Sequence, residues 1–269
     1  MLTGKRLWLI GGTQESAALA QAIALSGLNC IISVTTEAAR SLYPSAPNVQ
    51  VWVGYLTATS CPTFLQTYQI GAILDASHPF AVEISQLAIA VAQTYHLPYL
   101  RYERPEISGE MGEIGEMGQL ASLRNLVYLD SLDTLLQGDY LMGQRVLLTL
   151  GYRSLSLFQS WQERATLFAR ILPSMTALEA ALQAGFTSDR LIAFRPPLSV
   201  SLERALWQHW QMTMVVTKAS GTAGGELVKR QLAAELGIPL VVIGRPAIAY
   251  PQQTSDLSVA LAFCQQHCT

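Results

Sequence analysis

The stretch at residues 5–15, KRLWLIGGTQE, determines how the chain begins to fold, because a short apolar run meets two glycines and then a helical pattern. The run at 5–10 predicts a buried strand, and the apolar periodicity from Ser16 to Ser26 predicts a helix. Glycines let the backbone turn sharply and approach a phosphate, which the first N–H groups of the helix can bind. The turn lacks the complete G-x-G-x-x-G pattern, so a purely structural turn stays open beside a nucleotide site.

The same alternation of apolar runs and helical patterns continues along the chain, which predicts βαβ units and parallel sheets. A stretch rich in Gly, Glu and Met at 105–124 lacks periodicity and predicts a long connection between two halves. We therefore predict an α/β protein of two Rossmann-like, doubly wound parallel-sheet domains with an interdomain cleft. The predicted boundaries are 1–104 for the N-terminal nucleotide-binding domain, 105–124 for the connection and 125–269 for the C-terminal domain.

The composition excludes several classes of partner. The chain has 269 residues, 13% of them charged, with a formal net charge of −2 and no clustered Lys/Arg segment, which argues against a nucleic-acid partner. No run approaches the roughly 20 apolar residues that span a bilayer, and the opening segment lacks the pattern of a signal peptide. We expect a cytoplasmic protein with no membrane partner, as a monomer or a homodimer.

Cysteine spacing gives no reason to expect a bound metal. The four cysteines are dispersed, as expected for reduced thiols. Cys264, His267 and Cys268 lie together near the C-terminus, but their spacing matches no standard zinc pattern. We predict no metal site.

Hydroxyl and cationic side chains follow the second predicted strand, at 30–36. In doubly wound folds the end of this strand meets the adenosine ribose of a dinucleotide. Thr35, Thr36 and Arg40 suit the 2′-phosphate of NADPH, although Glu37 lies nearby. A solvated Arg on a helix is the alternative.

The segment DASHPFA at 75–81 places polar groups directly after an apolar strand, at the sheet edge where such folds bind ligands. His78 could donate a proton or a hydrogen bond, and Asp75 could orient His78. The alternative is an Asp that caps the next helix beside a structural His.

Two further segments carry cations near predicted strand ends. Arg101 and Arg104 could hold carboxylates or pair with Glu103. In the second half, Lys218 precedes a glycine-rich loop at 219–225 that resembles a phosphate cradle without the P-loop spacing. A flexible loop with a solvated lysine is the alternative for this segment.

Taken in order, these segments resemble the precorrin-6A reductase family, including its cobalt-precorrin counterpart. The matching motifs are GGTQE (11–15), TTEAAR (35–40), DASHPFA (75–81), RYERP (101–105), LLTLG (147–151), RILP (170–173), TKASGTAGGE (217–226), LGIP (236–239) and RP (245–246). The resemblance spans nearly the whole chain, and DASHPFA and TKASGTAGG are its most specific parts.

The resemblance implies an NADPH-dependent oxidoreductase that reduces one double bond of a tetrapyrrole-derived macrocycle in cobalamin biosynthesis. It implies cofactor contacts from Gly11, Gly12, Thr13, Glu15, Thr35, Thr36 and Arg40, with Asp75, Ser77, His78 and Pro79 on the nicotinamide side and Asp75 and His78 as catalytic candidates. It implies substrate contacts from Arg101, Arg104, Lys218, Ser220, Gly221 and Gly224. Two alternatives stay open, namely a nicotinamide-linked oxidoreductase for a smaller substrate and a non-catalytic nucleotide-binding module.

Overall fold

The computed structural model describes residues 4–105, 107, 125–195 and 198–268 of the chain. The chain divides into two compact units. The first unit combines Met1–Pro105 with Ala247–Thr269, and the second consists of Glu106–Pro246. Each unit contains one six-stranded sheet in which every pairing of named strands is parallel.

The first unit has the strand order of a doubly wound dinucleotide fold. Its strands are β1 (Arg6–Ile10), β2 (Cys30–Val34), β3 (Val49–Val53), β4 (Ile70–Asp75), β5 (Tyr99–Tyr102) and β12 (Gln253–Thr254). Its helices are α1 (Gln14–Leu25), α2 (Glu37–Arg40), α3 (Cys61–Tyr68), α4 (Val82–Tyr95) and α9 (Leu257–His267). The order β12-β5-β4-β1-β2-β3 places the topological switch point between β1 and β4, where such folds bind ligands.

The central strand β1 is apolar on both faces because helices cover both faces of the sheet. Leu7 and Leu9 pack in one buried cluster with residues of α1 and α9, whereas Trp8 and Ile10 pack in another with residues of α3 and α4. This arrangement explains the continuous apolar run, which is typical of strands in buried parallel sheets.

The second unit repeats the winding with a different edge strand. Its strands are β6 (Leu126–Leu129), β7 (Arg145–Leu148), β8 (Thr166–Ile171), β9 (Leu191–Ala193), β10 (Met214–Lys218) and β11 (Leu240–Ile243). Its α-helices are α5 (Leu132–Gln137), α6 (Met175–Gln183), α7 (Val200–His209) and α8 (Glu226–Leu236), and its 3-10 helices are Tyr152–Trp161, Ser188–Arg190 and Thr222–Gly224. The order β6-β11-β10-β7-β8-β9 places the switch point between β7 and β10.

The structure confirms the predicted α/β class with Rossmann-like parallel sheets, but it corrects the predicted C-terminal domain of 125–269. The chain returns to the first unit after Pro246, where β12 pairs with β5 and Phe263 and Cys264 of α9 join the core around Leu7. A two-residue strand carries no periodicity, so the sequence gives no signal for this return. The predicted connection at 105–124 lies almost entirely outside the described residues. Among the described helices, none combines the length and apolar character needed to cross a membrane.

Candidate functional site

The glycine turn after β1 is held by the hydroxyl of Tyr43. Gly12 has φ +103° and donates its N–H to Tyr43 Oη at 2.6 Å. A Cβ at Gly11 would lie 2.3 Å from the same hydroxyl. Backbone conformation therefore excludes a side chain at Gly12, and close approach excludes one at Gly11. Tyr43 was missed by the sequence analysis, because a tyrosine between two strands carries no motif.

Thr13, a predicted cofactor contact, caps α1 with its hydroxyl. Thr13 Oγ1 accepts the N–H of Ser16 at 3.0 Å and donates to the carbonyl oxygen of Ala76 at 2.9 Å, across the switch point. The first N–H groups of a helix have no intrahelical acceptor. In the described part of the chain, the N–H groups of Gln14 and Glu15 have no acceptor either, so these two amides are the candidate donors of the turn for an anionic ligand.

Glu15 places a carboxylate in the first turn of α1, where it would repel a phosphate. Arg104 Nη2 lies 2.9 Å from Glu15 Oε2, and the two side chains are 10% and 19% exposed. The ion pair balances the carboxylate charge at a site with little solvent screening. Arg104, predicted as a substrate cation, is thus paired with a residue of the turn after β1.

The candidate ribose site after β2 is solvent-exposed. Thr35, Thr36 and Arg40 are exposed, and Arg40 Nε lies 2.9 Å from Glu37 Oε2. The two side chains of this ion pair are 53% and 73% exposed, and pairs of that kind are worth only about 0–1 kcal/mol. A phosphate group can therefore compete with Glu37 for the guanidinium of Arg40.

Asp75, at the end of β4, is fully buried and its carboxylate is saturated with hydrogen bonds. Its donors are the Ser77 N–H (3.0 Å) and Arg101 Nη1 (2.8 Å) on Oδ1, and Ser85 Oγ (2.6 Å) and Tyr99 Oη (2.9 Å) on Oδ2. A carboxylate offers about four acceptor sites, and these four bonds fill them. This geometry favours a buried anchoring role for Asp75, and its catalytic role stays a prediction. Burial raises the pKa of Tyr99 well above its ordinary range, and the negative charge of Asp75 is the next largest cause of this rise.

Arg101 is the principal partner of Asp75 and is 1% exposed. It donates hydrogen bonds to Glu103 from Nε (2.9 Å), to Asp75 and Ser77 Oγ from Nη1 (2.8 and 3.0 Å), and to the Ser77 carbonyl from Nη2 (3.0 Å). Nη2 also lies 2.8 Å from Glu103 Oε2. A guanidinium offers five donors, and at least four of them have partners within the protein here. The geometry favours the alternative in which Arg101 pairs with Glu103, here together with Asp75, and a substrate contact from Arg101 stays a prediction.

His78 lies in a tight turn after β4, closed by the Ala81 N–H, which donates to the His78 carbonyl at 2.7 Å. The Phe80 N–H donates to His78 Nδ1 at 3.2 Å. Because Nδ1 accepts, we assign the neutral tautomer with the proton on Nε2. Of its predicted neighbours, Ser77 is buried with Oγ accepting from Arg101, and Pro79 is buried. His78, which is half-buried, is thus the member of this segment suited to donate a hydrogen bond to a ligand.

In the second unit, the segment Lys218–Gly225, which we call the glycine loop, leaves β10 at the switch point. Gly221 and Gly225 have φ +70° and +71°, and a Cβ at Gly224 would lie 1.9 Å from Ser220 Oγ. These three glycines are therefore required by backbone conformation or by close packing.

The amide groups of the glycine loop are partly committed within the protein. The Gly221 N–H donates to Glu226 Oε2 at 2.8 Å, and the Gly224 N–H donates to the Gly221 carbonyl at 3.1 Å. Within the residues that the structure describes, the N–H groups of Thr222 and Ala223 have no acceptor, and both residues are exposed. Gly221 and Gly224 were predicted as ligand contacts, whereas the geometry favours the amides of Thr222 and Ala223, which lie between them.

Lys218 ends β10, next to β7, and is half-buried. Burial, together with the nearby positive charge of Arg153, lowers the pKa of Lys218 to about 8. Arg153 follows β7 in the 3-10 helix Tyr152–Trp161. Two mutually repelling cations on the two sides of a switch point favour an anionic ligand. Arg153 was missed by the sequence analysis because it belongs to no strand-end motif.

Both units thus have the winding of Rossmann-like α/β proteins, with a glycine turn at one switch point and cations at the other. The family model described as "Precorrin-6x reductase CbiJ/CobK" matches residues 6–265. The cobalt-precorrin-6A reductase of Synechocystis sp. is 47% identical over 264 residues, which are 97% of this chain and 96% of that protein. The enzyme of the same name from Priestia megaterium is 31% identical over 248 residues, covering 90% and 91% of the two chains.

A solved structure supports the same fold. The structure titled "CobK precorrin-6A reductase" matches with a TM-score of 0.76 at 22% identity and covers 98% of this chain and 97% of that chain. The chain belongs to the precorrin-6x reductase family. It is an oxidoreductase that acts on a CH–CH bond, and the reductase class implies a nicotinamide cofactor.

Proposed function

We propose that this protein reduces one carbon–carbon double bond in the macrocycle of cobalt-precorrin-6A, with NADPH as the reductant, in cobalamin biosynthesis. The observation that carries the proposal is the 47% identity to a cobalt-precorrin-6A reductase across 97% of the chain, which includes both units. The second relative, at 31% identity, carries the same name and favours the cobalt form over the metal-free one.

The first unit supports the dinucleotide. Gly11 has no room for a side chain, and the positive φ of Gly12 disfavours one there. A turn without side chains suits the close approach of a pyrophosphate. The amides of Gln14 and Glu15 would bind the phosphates at the positive end of α1. Arg40, held by Glu37 in an exposed ion pair, would bind the 2′-phosphate. Thr35 and Thr36 flank that position.

The end of β4 supports the reacting end of the cofactor. When bound, NADPH supplies the hydride. Asp75 and Arg101 hold Ser77 and the start of the next turn in a fixed position, and His78 accepts the Phe80 N–H at Nδ1. His78 is the candidate hydrogen-bond or proton donor, with water as the other proton source, because hydride transfer itself requires no side-chain acid.

The second unit supports the macrocycle, whose acetate and propionate arms are anionic. Lys218 supplies a half-buried cation, and the amides of Thr222 and Ala223 supply donors of fixed direction. Ser220, Gly221 and Gly224 shape the loop that presents these donors. Hydrogen-bond donors that are fixed in direction stabilise the negative charge of a bound group most strongly where water is excluded.

The test is the loss of NADPH absorbance under anaerobic conditions with the purified protein, using cobalt-precorrin-6A, precorrin-6A and a set of small carbonyl compounds. We expect turnover with the macrocycles, higher kcat/KM for the cobalt form, and lower kcat/KM with NADH. Turnover with the small carbonyl compounds alone would support the alternative oxidoreductase. Cofactor binding without turnover of any of them would support the non-catalytic module.

A further inference from the structure

Helix α8 begins directly after the glycine loop, and its first turn makes hydrogen bonds back to the middle and to the last two residues of that loop. Glu226 Oε2 accepts the Gly221 N–H at 2.8 Å. Lys229 Nζ donates to the carbonyl oxygens of Gly224 and Gly225 at 3.2 and 3.1 Å. Glu226 is 1% exposed and Lys229 is 2% exposed, so neither side chain is a surface group.

The position of Lys229 is unfavourable for a lysine. An ammonium group in the first turn of a helix faces the positive end of the helix dipole, and burial removes its hydration. The charged groups that face it are Arg170 of β8, Glu203 of α7 and Glu226 of α8 itself. An apolar side chain would fill the same space at lower cost, so the particular contribution of Lys229 is its pair of bonds to the loop carbonyls.

The two carboxylates near Lys229 are each paired with an arginine. Glu203 Oε2 lies 2.5 Å from Arg170 Nη1, and Glu226 Oε1 lies 2.7 Å from Arg230 Nη2. Burial, followed by the charge of Arg170, lowers the pKa of Lys229 to about 7, while Glu203 and Glu226 act in the opposite direction. Lys229 is therefore not required to neutralise either carboxylate.

A loop with two glycines at positive φ has many accessible conformations when it is not held. The bonds from α8 fix the Gly221 amide in the middle of the loop and the Gly224 and Gly225 carbonyls at its C-terminal end. Between these fixed points lie Thr222 and Ala223, whose amides have no acceptor in the described part of the chain. Donors that are already in place for an anionic group bind it without an ordering cost.

We propose that Glu226 and Lys229 are positioning residues that fix the glycine loop in the conformation that binds the carboxylate arms of the macrocycle. The proposal rests on the proposed function for its ligand, but not for the loop conformation itself. Neither residue is expected to touch the substrate or the cofactor.

The first experiment compares Lys229→Met, Glu226→Ala and Glu226→Gln with wild type. The matched control is Glu235→Gln, on the same helix, because Glu235 is 38% exposed and pairs with Arg204 on the surface. We expect Lys229→Met and Glu226→Ala to raise KM for cobalt-precorrin-6A about tenfold, with kcat changed less than about twofold and the Kd of NADPH unchanged. Glu226→Gln keeps an acceptor for the Gly221 N–H and is expected to restore most of the affinity.

The pH profile separates a positioning role from simple loss of packing. Below pH 7 the Lys229 ammonium makes charge-assisted bonds to the two carbonyls, and above pH 7 the neutral amine makes weaker ones. The KM of wild type therefore rises with pH through about 7, and that part of the rise is absent in Lys229→Met. A second rise of KM, near pH 8, is expected where Lys218 loses its positive charge, and it remains in both proteins.

Amide hydrogen exchange tests the loop without any turnover. The loop amides, including the Gly221 N–H, exchange faster in Lys229→Met and Glu226→Ala than in wild type and Glu235→Gln. If wild type reduces neither macrocycle, the proposed function fails and the exchange result still decides the positioning role. If Lys229→Met does not fold, the comparison of Glu226→Ala with Glu226→Gln still tests the proposal. Unchanged exchange and KM, or a parallel loss of kcat, substrate affinity and NADPH affinity, would overturn the proposal.

Discussion

Tyr43 holds the glycine turn of the first unit through a single hydroxyl group. The hydroxyl accepts the N–H of Gly12 at 2.6 Å and lies 2.8 Å from Ser16 Oγ, and it occupies the space that a side chain at Gly11 would need. Burial raises the pKa of Tyr43, so the hydroxyl stays protonated at neutral pH. The turn conformation therefore depends on a residue from the segment between β2 and β3.

Replacing Tyr43 with Phe removes this hydroxyl and keeps the ring. We expect a three- to tenfold weaker Kd for NADPH, because the Gly12 N–H and Ser16 lose a partner worth about 0.5–1.5 kcal/mol. Fluorescence titration of NADPH measures the change. Tyr68→Phe is the control, since the Tyr68 hydroxyl makes no hydrogen bond among the described residues. An unchanged Kd in Tyr43→Phe would show that the hydroxyl does not set the turn.

Arg101 is a structural residue in this account, and its replacement with Met tests that conclusion. Asp75 would remain buried with its charge unpaired, which costs about 3–5 kcal/mol of unfolding free energy. Urea unfolding measures the loss. Arg204→Met is the control, because its ion pair is 39% and 38% exposed and should be worth less than about 1 kcal/mol. A stable Arg101→Met protein with a raised KM for the macrocycle would restore the predicted substrate role.

Arg40 provides the residue-level test of cofactor choice. We expect Arg40→Ala to lower the ratio of kcat/KM for NADPH to that for NADH by about tenfold or more, because one charge-assisted contact to the 2′-phosphate is lost. The NADH value and the stability should change little, since Arg40 is exposed. An unchanged ratio would place the 2′-phosphate elsewhere.

Residue types at strand ends were predictable, but their hydrogen-bond partners were not. The motifs located Gly11, Asp75 and Lys218 at carboxyl edges, because an apolar run ends at each. The sequence does not show that Arg101 bends toward Asp75, since the two residues lie 26 positions apart and meet only across neighbouring strands. Which groups are saturated and which face a ligand depends on that register.

At the scale of elements, the two sheets share one winding and differ in the origin of their edge strand. The first sheet takes its last strand, β12, from the C-terminal segment, whereas the second takes β6 from before its own first βα unit. The strands and helices with clear apolar periodicity were predictable because each of them is buried on at least one face. The return of the chain to the first unit was not, because β12 has two residues and the apolar pattern of α9 fits either sheet.

Helix α9 carries the prediction at this scale. Phe263 is 8% exposed within the core of the first unit, so Phe263→Ala should lower the unfolding free energy by about 3–5 kcal/mol. Because α9 belongs to the first unit, the loss should appear with faster amide exchange in β1 and α1 and unchanged exchange in β7 and β10. Leu257→Ala is the control on the same helix, where the side chain is 40% exposed. Faster exchange confined to the second unit would contradict the assignment of α9.

At the scale of the whole molecule, the family match covers both units, and the candidate groups divide between them. Donors suited to a dinucleotide lie on the first unit, and cations and loop amides suited to carboxylates lie on the second. Together they support the proposal that this chain transfers a hydride from NADPH to a carbon of the cobalt-precorrin-6A macrocycle.

The most direct test is mass spectrometry of the macrocycle after turnover with NADPH deuterated at C4, each face in turn. We expect the product to gain one deuterium from one of the two labelled cofactors, with the second hydrogen drawn from solvent. A reduced macrocycle without deuterium from either cofactor, or no reduced macrocycle at all, would contradict it.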